Sequence, residues 1–299
     1  MSKAIVTGGA GFIGSNLVDK LVEIYDKVII IDNESADSNE QFYYNKKAEK
    51  HLLNVCDYKN TRPLYDGADC VFHLAAESRI QPTLENPVLA ALTNTVGTCT
   101  VLQCAKEAGV KRVVYSSTSS GYGLKNKIPL DENMPDDCLN PYSVTKVSGE
   151  KLCKMYTDLF GLETVVFRYF NVYGERHPVK GQYAPVIGIF IRQRNSGEPM
   201  TIVGDGKQRR DFTHVSDVVT ANVLASTLEN KEPVGKVLNI GTGINYSILE
   251  IAKLIGGDYK FIEPRLGESQ ETLANTNRAK KMLGWSPTIK LEDWIKNNT

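Results

Sequence analysis

Residues 7–16 read TGGAGFIGSN, with Gly8, Gly11 and Gly14 spaced three apart behind the apolar run KAIVT and ahead of the helix-like LVDKLVEIY. Glycine at these places permits a tight turn, a close approach of backbone to a pyrophosphate and close packing of helix on strand. The free N–H groups at the helix N-terminus then face the anion. About 20 residues further on, Asp32 ends a second apolar run, KVIIID. A carboxylate there accepts hydrogen bonds from both ribose hydroxyls of NAD and repels the 2′-phosphate of NADP. The alternative is that the glycines only turn the chain and the acid only caps, but a strand before and a helix after favour the dinucleotide. NAD is therefore the expected cofactor, with Phe12, Ile13 and Asn33 as further contacts.

The alternation continues along the chain. DCVFHLAA, KRVVYSST and ETVVFRYF are apolar at nearly every position, and helical stretches such as ENPVLAALTNTVGTCTVLQCAKEAG and NPYSVTKVSGEKLCKMYTDLFG separate them. Strands apolar on both faces and separated by helices form a parallel sheet covered on both sides. The expected fold class is α/β, a doubly wound parallel-sheet Rossmann domain with a smaller, discontinuous C-terminal substrate domain. After about residue 170 the rhythm breaks into YGERHPVKGQ, GDGKQRRDF and EPRLGES, while HVSDVVTANVLASTLEN and KVLNIG form one more helix and strand able to rejoin the sheet. The expected division is a NAD-binding domain of 1–170 plus about 210–243, and a nucleotide-sugar-binding domain of about 171–209 plus 244–299.

Among the 299 residues, 35 Lys and Arg balance 35 Asp and Glu. No global field draws nucleic acid or an anionic membrane, and neither is an expected partner. No charged leader precedes the first strand, and no stretch approaches the roughly 18 apolar residues of a membrane span. The expected location is cytoplasmic. The six cysteines show no C-x-x-C pair and the four histidines no metal-like grouping, so reduced thiols and no metal are expected. His73, at the end of a buried strand, is expected to be a packed, hydrogen-bonded core residue.

Tyr142 and Lys146 in PYSVTK stand four apart, on one face of a predicted helix. A phenol with a pKa near 10 is a poor base at neutral pH. A neighbouring ammonium and the positive nicotinamide ring would stabilise tyrosinate and make it a usable general base. Y-x-x-x-K alone occurs by chance, and its weight comes from the nucleotide-binding half before it. The run YSSTSSGYG at 115–123 adds hydroxyls at a strand end. Ligands of open α/β sheets lie beyond the carboxyl ends of the strands, so Ser116 to Ser120 are delivered to the cleft. One of them can hold a substrate hydroxyl while Tyr142 removes its proton.

Together, TGGAGFIG, HLAA, YSSTSSGYG, PYSVTK, RYFNVYGER and GDGKQRRDF resemble the extended short-chain dehydrogenase/reductases that act on nucleotide sugars, and are most similar to the UDP-hexose 4-epimerases. The resemblance implies Thr118, Tyr142 and Lys146 as the catalytic set. It implies Asp57 against the adenine, Leu74, Ala75 and Ala76 along the cofactor, Asn94 on its ribose and phosphate side, and Ser116 and Tyr169 nearby. Asn171, Arg210 and Arg265 match the residues that grip the UDP diphosphate, which suits the bidentate, always-charged guanidinium. For each arginine the alternative is a solvated surface ion pair. The resemblance also implies a UDP-sugar substrate and a homodimer formed through the helices around 85–108 and 142–160.

Within this family, 4,6-dehydratases and decarboxylases usually carry an acid directly after the catalytic Thr or Ser. Here Ser119 and Ser120 take those places, so elimination lacks its general acid/base and 4-epimerisation is the expected reaction. UDP-glucuronate 4-epimerase and a dehydratase or reductase of the same superfamily are the alternatives; a non-catalytic nucleotide-binding protein would have no need of Thr118, Tyr142 and Lys146 together. Thr272 aligns where epimerases restricted to plain hexoses carry a bulky Tyr, leaving room for an N-acetyl group. In HLAAESRI, Ser78 and Arg79 fall near the sugar. Arg79 either pairs with a uronate carboxylate or faces solvent. Tyr122 is expected to pack near the cleft mouth.

Overall fold

The computed structural model describes residues 1–299 except 37, 38, 40, 180–183 and 265–268. Seven strands form one parallel sheet in the order 236–240, 163–169, 112–118, 70–73, 3–7, 27–32, 49–52. Six of them are the apolar runs of the sequence. The inner ones are buried at almost every residue because helices cover both faces. The seventh, Glu49–Leu52, was not expected from sequence. Its residues EKHL are mostly exposed, and Glu49 pairs with Lys27 at 2.7 Å. A charged edge strand has no apolar run to betray it, and its charges discourage pairing with other chains.

The chain winds outward from the strand Lys3–Thr7 in both directions, first through 27–32 and 49–52, then back through 70–73 to 236–240. The order reverses between 3–7 and 70–73, which opens a crevice at their carboxyl ends. Thr7 stands opposite His73 and Thr118 opposite Tyr169, so the strand ends form a row along one edge of the sheet.

One apolar cluster, including Leu17, Phe72, Phe167, Val218 and Trp285, packs the helices Phe12–Leu21 and Val215–Thr227 on one face. Another, including Tyr65, Val71, Leu102, Val113 and Tyr156, packs Gly97–Glu107 and Pro141–Phe160 on the other. Each large apolar side chain so buried contributes about 1.5–3 kcal/mol. A third cluster around Phe190, Ile202, Ile251 and Ile295 gathers the later, irregular segments. Asp211 ties these to the sheet: its carboxylate accepts hydrogen bonds from Thr242 N, Gly243 N and Ala274 N at 2.8–3.0 Å.

The helical run expected from residue 85 contains a π turn at Ala91–Val96 between Pro87–Ala90 and Gly97–Glu107. Pro87–Glu107 is long and, on average, apolar enough to cross a membrane, but Thr93, Asn94 and Thr95 interrupt its apolar run and nearly half of it is buried within the fold. Asn94 and Thr98 are buried on its inner face.

Candidate active site

A cleft of about 510 Å³ runs along the strand ends from the glycine turn to Thr272. At one end Gly8 adopts φ +70°. A Cβ on Gly8 would lie 2.7 Å from Ala75 N, and one on Gly14 would collide with the Gly8 carbonyl oxygen. Both glycines are thus required by close packing. Gly11, which precedes the helix Phe12–Leu21, is different: a Cβ there would meet nothing nearer than 3.5 Å. Its small size serves the cleft, as a phosphate at a helix N-terminus demands.

Asp32 closes this end. Its oxygens accept hydrogen bonds from Ala10 N at 3.0 Å and Glu34 N at 2.8 Å, and burial raises its pKa from the ordinary value. Phe12, Ile13, Asn33, Leu74, Ala75 and Ala76 line the cleft with it. Two expected cofactor contacts do not. Asp57 caps the short helix Tyr58–Thr61 and accepts from the Asn60 side-chain amide at 2.6 Å, and Leu53 and Val55 form the wall instead. Asn94 is fully buried and spends its amide on the protein. It accepts from Glu77 N at 2.8 Å and donates to Glu77 O and Thr145 Oγ1, both at 3.0 Å. Asn94 thereby fastens the loop after Ala75 and Ala76 to the helix Pro141–Phe160, and Thr93 lines the cleft in its stead.

His73 lies beneath this loop. Thr98 Oγ1 donates to Asn94 O at 2.5 Å, so it must accept from His73 Nε2 at 2.9 Å, and His73 Nδ1 accepts from Thr7 Oγ1 at 2.7 Å. The imidazole is neutral, its pKa lowered to about 3 by burial and then by the Lys146 charge.

At the other end, Tyr142 enters on the first turn of Pro141–Phe160. Asn140 and Ser143 start this helix with a reciprocal cap, and Pro141 occupies the first position. The helix lies close to the strand Arg112–Thr118 because Gly149 leaves space for the Tyr115 hydroxyl, which donates to Lys146 O at 3.1 Å. Thr118 and Tyr142 line the cleft together. Burial raises the pKa of Tyr142, while the nearby Thr118 hydroxyl and the charge of Arg79 pull it down. Lys146 lines the same cleft. Its Nζ stands over the Tyr115 ring, and burial lowers its pKa to about 7 against the raising effect of Cys153 and Glu150. The four-residue spacing does bring Tyr142 and Lys146 to one cleft, but the cation whose charge bears on Tyr142 is Arg79.

Behind the hydroxyl run is a buried network that sequence reasoning missed. Ser116 Oγ meets Tyr169 OH at 3.1 Å. Ser117 Oγ donates to Glu150 at 2.5 Å, Glu150 takes two bonds from Arg168 at 2.8 and 2.7 Å, and Arg168 also reaches Asp136 at 2.8 Å. Glu150 follows Lys146 by one helical turn and Arg168 interrupts the apolar ETVVFRYF; those were the available signals. Tyr122 also belongs to this layer and not to the cleft mouth. It is 1% exposed, donates to Asn239 at 2.7 Å and carries the Arg168 guanidinium 4.5 Å over its ring.

On the far wall the cleft is lined by Ser78, Arg79, Asn171, Arg210 and Thr272. Asn171 has φ +29° and donates to Asp211 O at 2.9 Å. Arg210 donates to Arg209 O at 3.0 Å, and Thr272 Oγ1 accepts from Asp211 N at 3.2 Å. Arg79 is half-buried there, with its Nε shielded from solvent. Arg265 lies outside the described residues.

Comparison with known proteins accords with this geometry. A model of the NAD dependent epimerase/dehydratase family matches residues 4–241. The UDP-glucose 4-epimerase of Mycolicibacterium smegmatis is 34% identical over 304 residues, 98% of this chain and 96% of its own. The crystal structure of UDP-glucose 4-epimerase with UDP-glucose from Thermotoga maritima gives a TM-score of 0.92 at 34% identity, covering 98% of this chain and 96% of that one. UDP-glucuronic acid 4-epimerase from Bacillus cereus, in complex with UDP-glucuronic acid and NAD, gives 0.87 at 30% identity, with 98% and 96% covered.

Proposed function

The chain belongs to the NAD dependent epimerase/dehydratase family, and from that footing we propose that it is a UDP-hexose 4-epimerase exchanging UDP-glucose and UDP-galactose. The observation that carries 4-epimerisation over elimination is the make-up of the cleft. Among its described lining residues the only acid is Asp32, at the glycine-turn end, and Ser119 and Ser120 follow Thr118. Among the described residues no carboxylate stands where proton traffic at C5 or C6 would need one.

The residues present fit NAD: the open cradle at Gly11, the Asp32 carboxylate for the adenosine ribose, and Ala75, Ala76 and Lys146 along the cleft. NAD, when bound, supplies the hydride acceptor that oxidises the sugar at C4 and the donor that reduces it again after the sugar has turned. Thr118 holds the C4 hydroxyl, and Tyr142 takes its proton and later returns it. Lys146 holds the nicotinamide ribose. Asn171 and Arg210 clamp the UDP diphosphate, which leaves the sugar as the part free to turn. Thr272, a small residue on the same wall, leaves space for an N-acetyl group, so UDP-N-acetylglucosamine is a second sugar for the site.

The chain works as a homodimer in this account. Leu84, Val88, Leu89, Leu92 and Val96 are exposed along 80–107, as are Val144, Leu159 and Phe160 on Pro141–Phe160, an apolar face that pairing would cover. All six cysteines are free, which supports a reducing, cytoplasmic location. The test is Tyr142→Phe. Turnover should fall at least about a thousandfold while UDP still binds, and a near-normal rate would reject the assignment of the base.

A further inference from the structure

We infer that the cleft also takes, and prefers, a UDP-sugar bearing a carboxylate on C5, a hexuronate, with Arg79 as the residue that receives the carboxylate. This rests on the 4-epimerase reading and names a substrate class within it.

Three cations line the cleft among the described residues: Lys146, Arg79 and Arg210. Arg210 donates to the carbonyls of Arg209 and Gln270 and is assigned the diphosphate. Lys146 has the Tyr115 ring beneath it and the Glu150 charge nearby. Arg79 has neither kind of support. Its Nε is buried without a hydrogen-bond partner, and no described acid forms an ion pair with it. A guanidinium held in a cleft with no anion is costly to the fold, and retaining one is explicable where a ligand brings the anion.

Its placement suits the sugar. Arg79 immediately precedes the helix Ile80–Glu85, where its carbonyl accepts from Thr83 N at 3.3 Å. Two residues earlier Asn94 grips both backbone groups of Glu77. The guanidinium therefore extends from a fixed backbone, as a recognition residue should. The ionisable group that its charge reaches is Tyr142, the residue assigned to the C4 hydroxyl. In a hexuronate the carboxylate hangs on C5, the neighbour of C4, so a sugar seated with C4 at Tyr142 brings it to the same region. A hexose offers only a neutral hydroxymethyl group there and leaves the guanidinium unpaired, which disfavours it relative to the acid.

The experiment compares kcat/KM for UDP-glucuronate and UDP-glucose in the NAD-loaded wild type, Arg79→Gln and Arg79→Lys. The same two sugars are compared for binding in the Tyr142→Phe background. The ratio of uronate to glucose should exceed about ten in the wild type, fall at least about tenfold in Arg79→Gln and fall less in Arg79→Lys. Binding in Tyr142→Phe should show the same lead for the uronate, lost on adding Arg79→Gln. A ratio unchanged by Arg79→Gln, with both sugars falling together, would overturn the inference and leave Arg79 as a partner of Tyr142 only. A wild-type preference for UDP-glucose would overturn it too. If neither sugar is epimerised, the underlying reading fails, and the binding comparison still decides the role of Arg79.

Discussion

The Nζ of Lys146 lies 4.3 Å from the centre of the Tyr115 ring. Burial in the floor of the cleft strips the ammonium of water, and despite the aromatic face beside it the pKa falls to about 7. A lysine whose folded pKa is lowered binds fewer protons in the native state than in the unfolded one between the two values. Its cost to stability is therefore fully present below about pH 7 and is relieved as pH rises toward the unfolded value near 10.4. Lys146→Met should make the cofactor-free protein more stable than wild type at neutral pH, with the gap closing toward pH 10. Denaturant midpoints of both proteins across that range check it; a gap independent of pH would contradict the burial of the charge.

Asn94 touches the cleft only through the loop it holds. Asn94→Ala removes the bonds to the N–H and C=O of Glu77 and to Thr145 Oγ1 and should cost about 1–3 kcal/mol. It should also speed the release of NAD, because Ala75 and Ala76 stand on that loop. Unchanged release in a destabilised variant would confine Asn94 to the fold.

The side chains of Glu150 and Arg168 are 6% and 3% exposed. Removing one charge of such a pair strands the other, so Glu150→Ala should lose about 3–5 kcal/mol, and adding Arg168→Met should recover part of it. Urea unfolding of the single and double variants measures the difference, and full additivity would mean that the two do not act as a pair.

At Gly14 an added methyl collides with the Gly8 carbonyl oxygen. Gly14→Ala should cost about 1–3 kcal/mol despite the better helix propensity of alanine, and should weaken NAD binding at least about tenfold by moving the turn. Calorimetric titration with NAD checks this, and wild-type affinity would show that the turn absorbs the methyl elsewhere.

What was legible in the sequence was whatever short spacing encodes. Gly8 with Gly14, Asp32 at a strand end, and Tyr142 with Lys146 one turn apart all depend on neighbours within a few residues or on the ordinary rhythm of strand and helix. The edge strand Glu49–Leu52 was hidden because its exposed, charged residues carry no apolar period. Asp57 and Asn94 were expected at the cofactor, and their side chains serve Asn60 and Glu77 instead, contacts that depend on how a turn and a π segment happen to close. The network from Ser117 through Glu150 to Arg168 and Asp136 joins a strand, a helix, a second strand and a loop, and no local pattern announces such a crossing. Arg79 was left open between cleft and solvent, and only the folded loop decides between them.

The central claim is tested most directly by supplying the NAD-loaded protein with UDP-glucose, UDP-N-acetylglucosamine and UDP-glucuronate, each in parallel with its C4 epimer, and separating the products. The account predicts that, for at least one pair, both starting sugars reach the same mixture of C4 epimers with no net formation of NADH. A stable keto product, NADH in proportion to sugar consumed, or no conversion in any pair would contradict it.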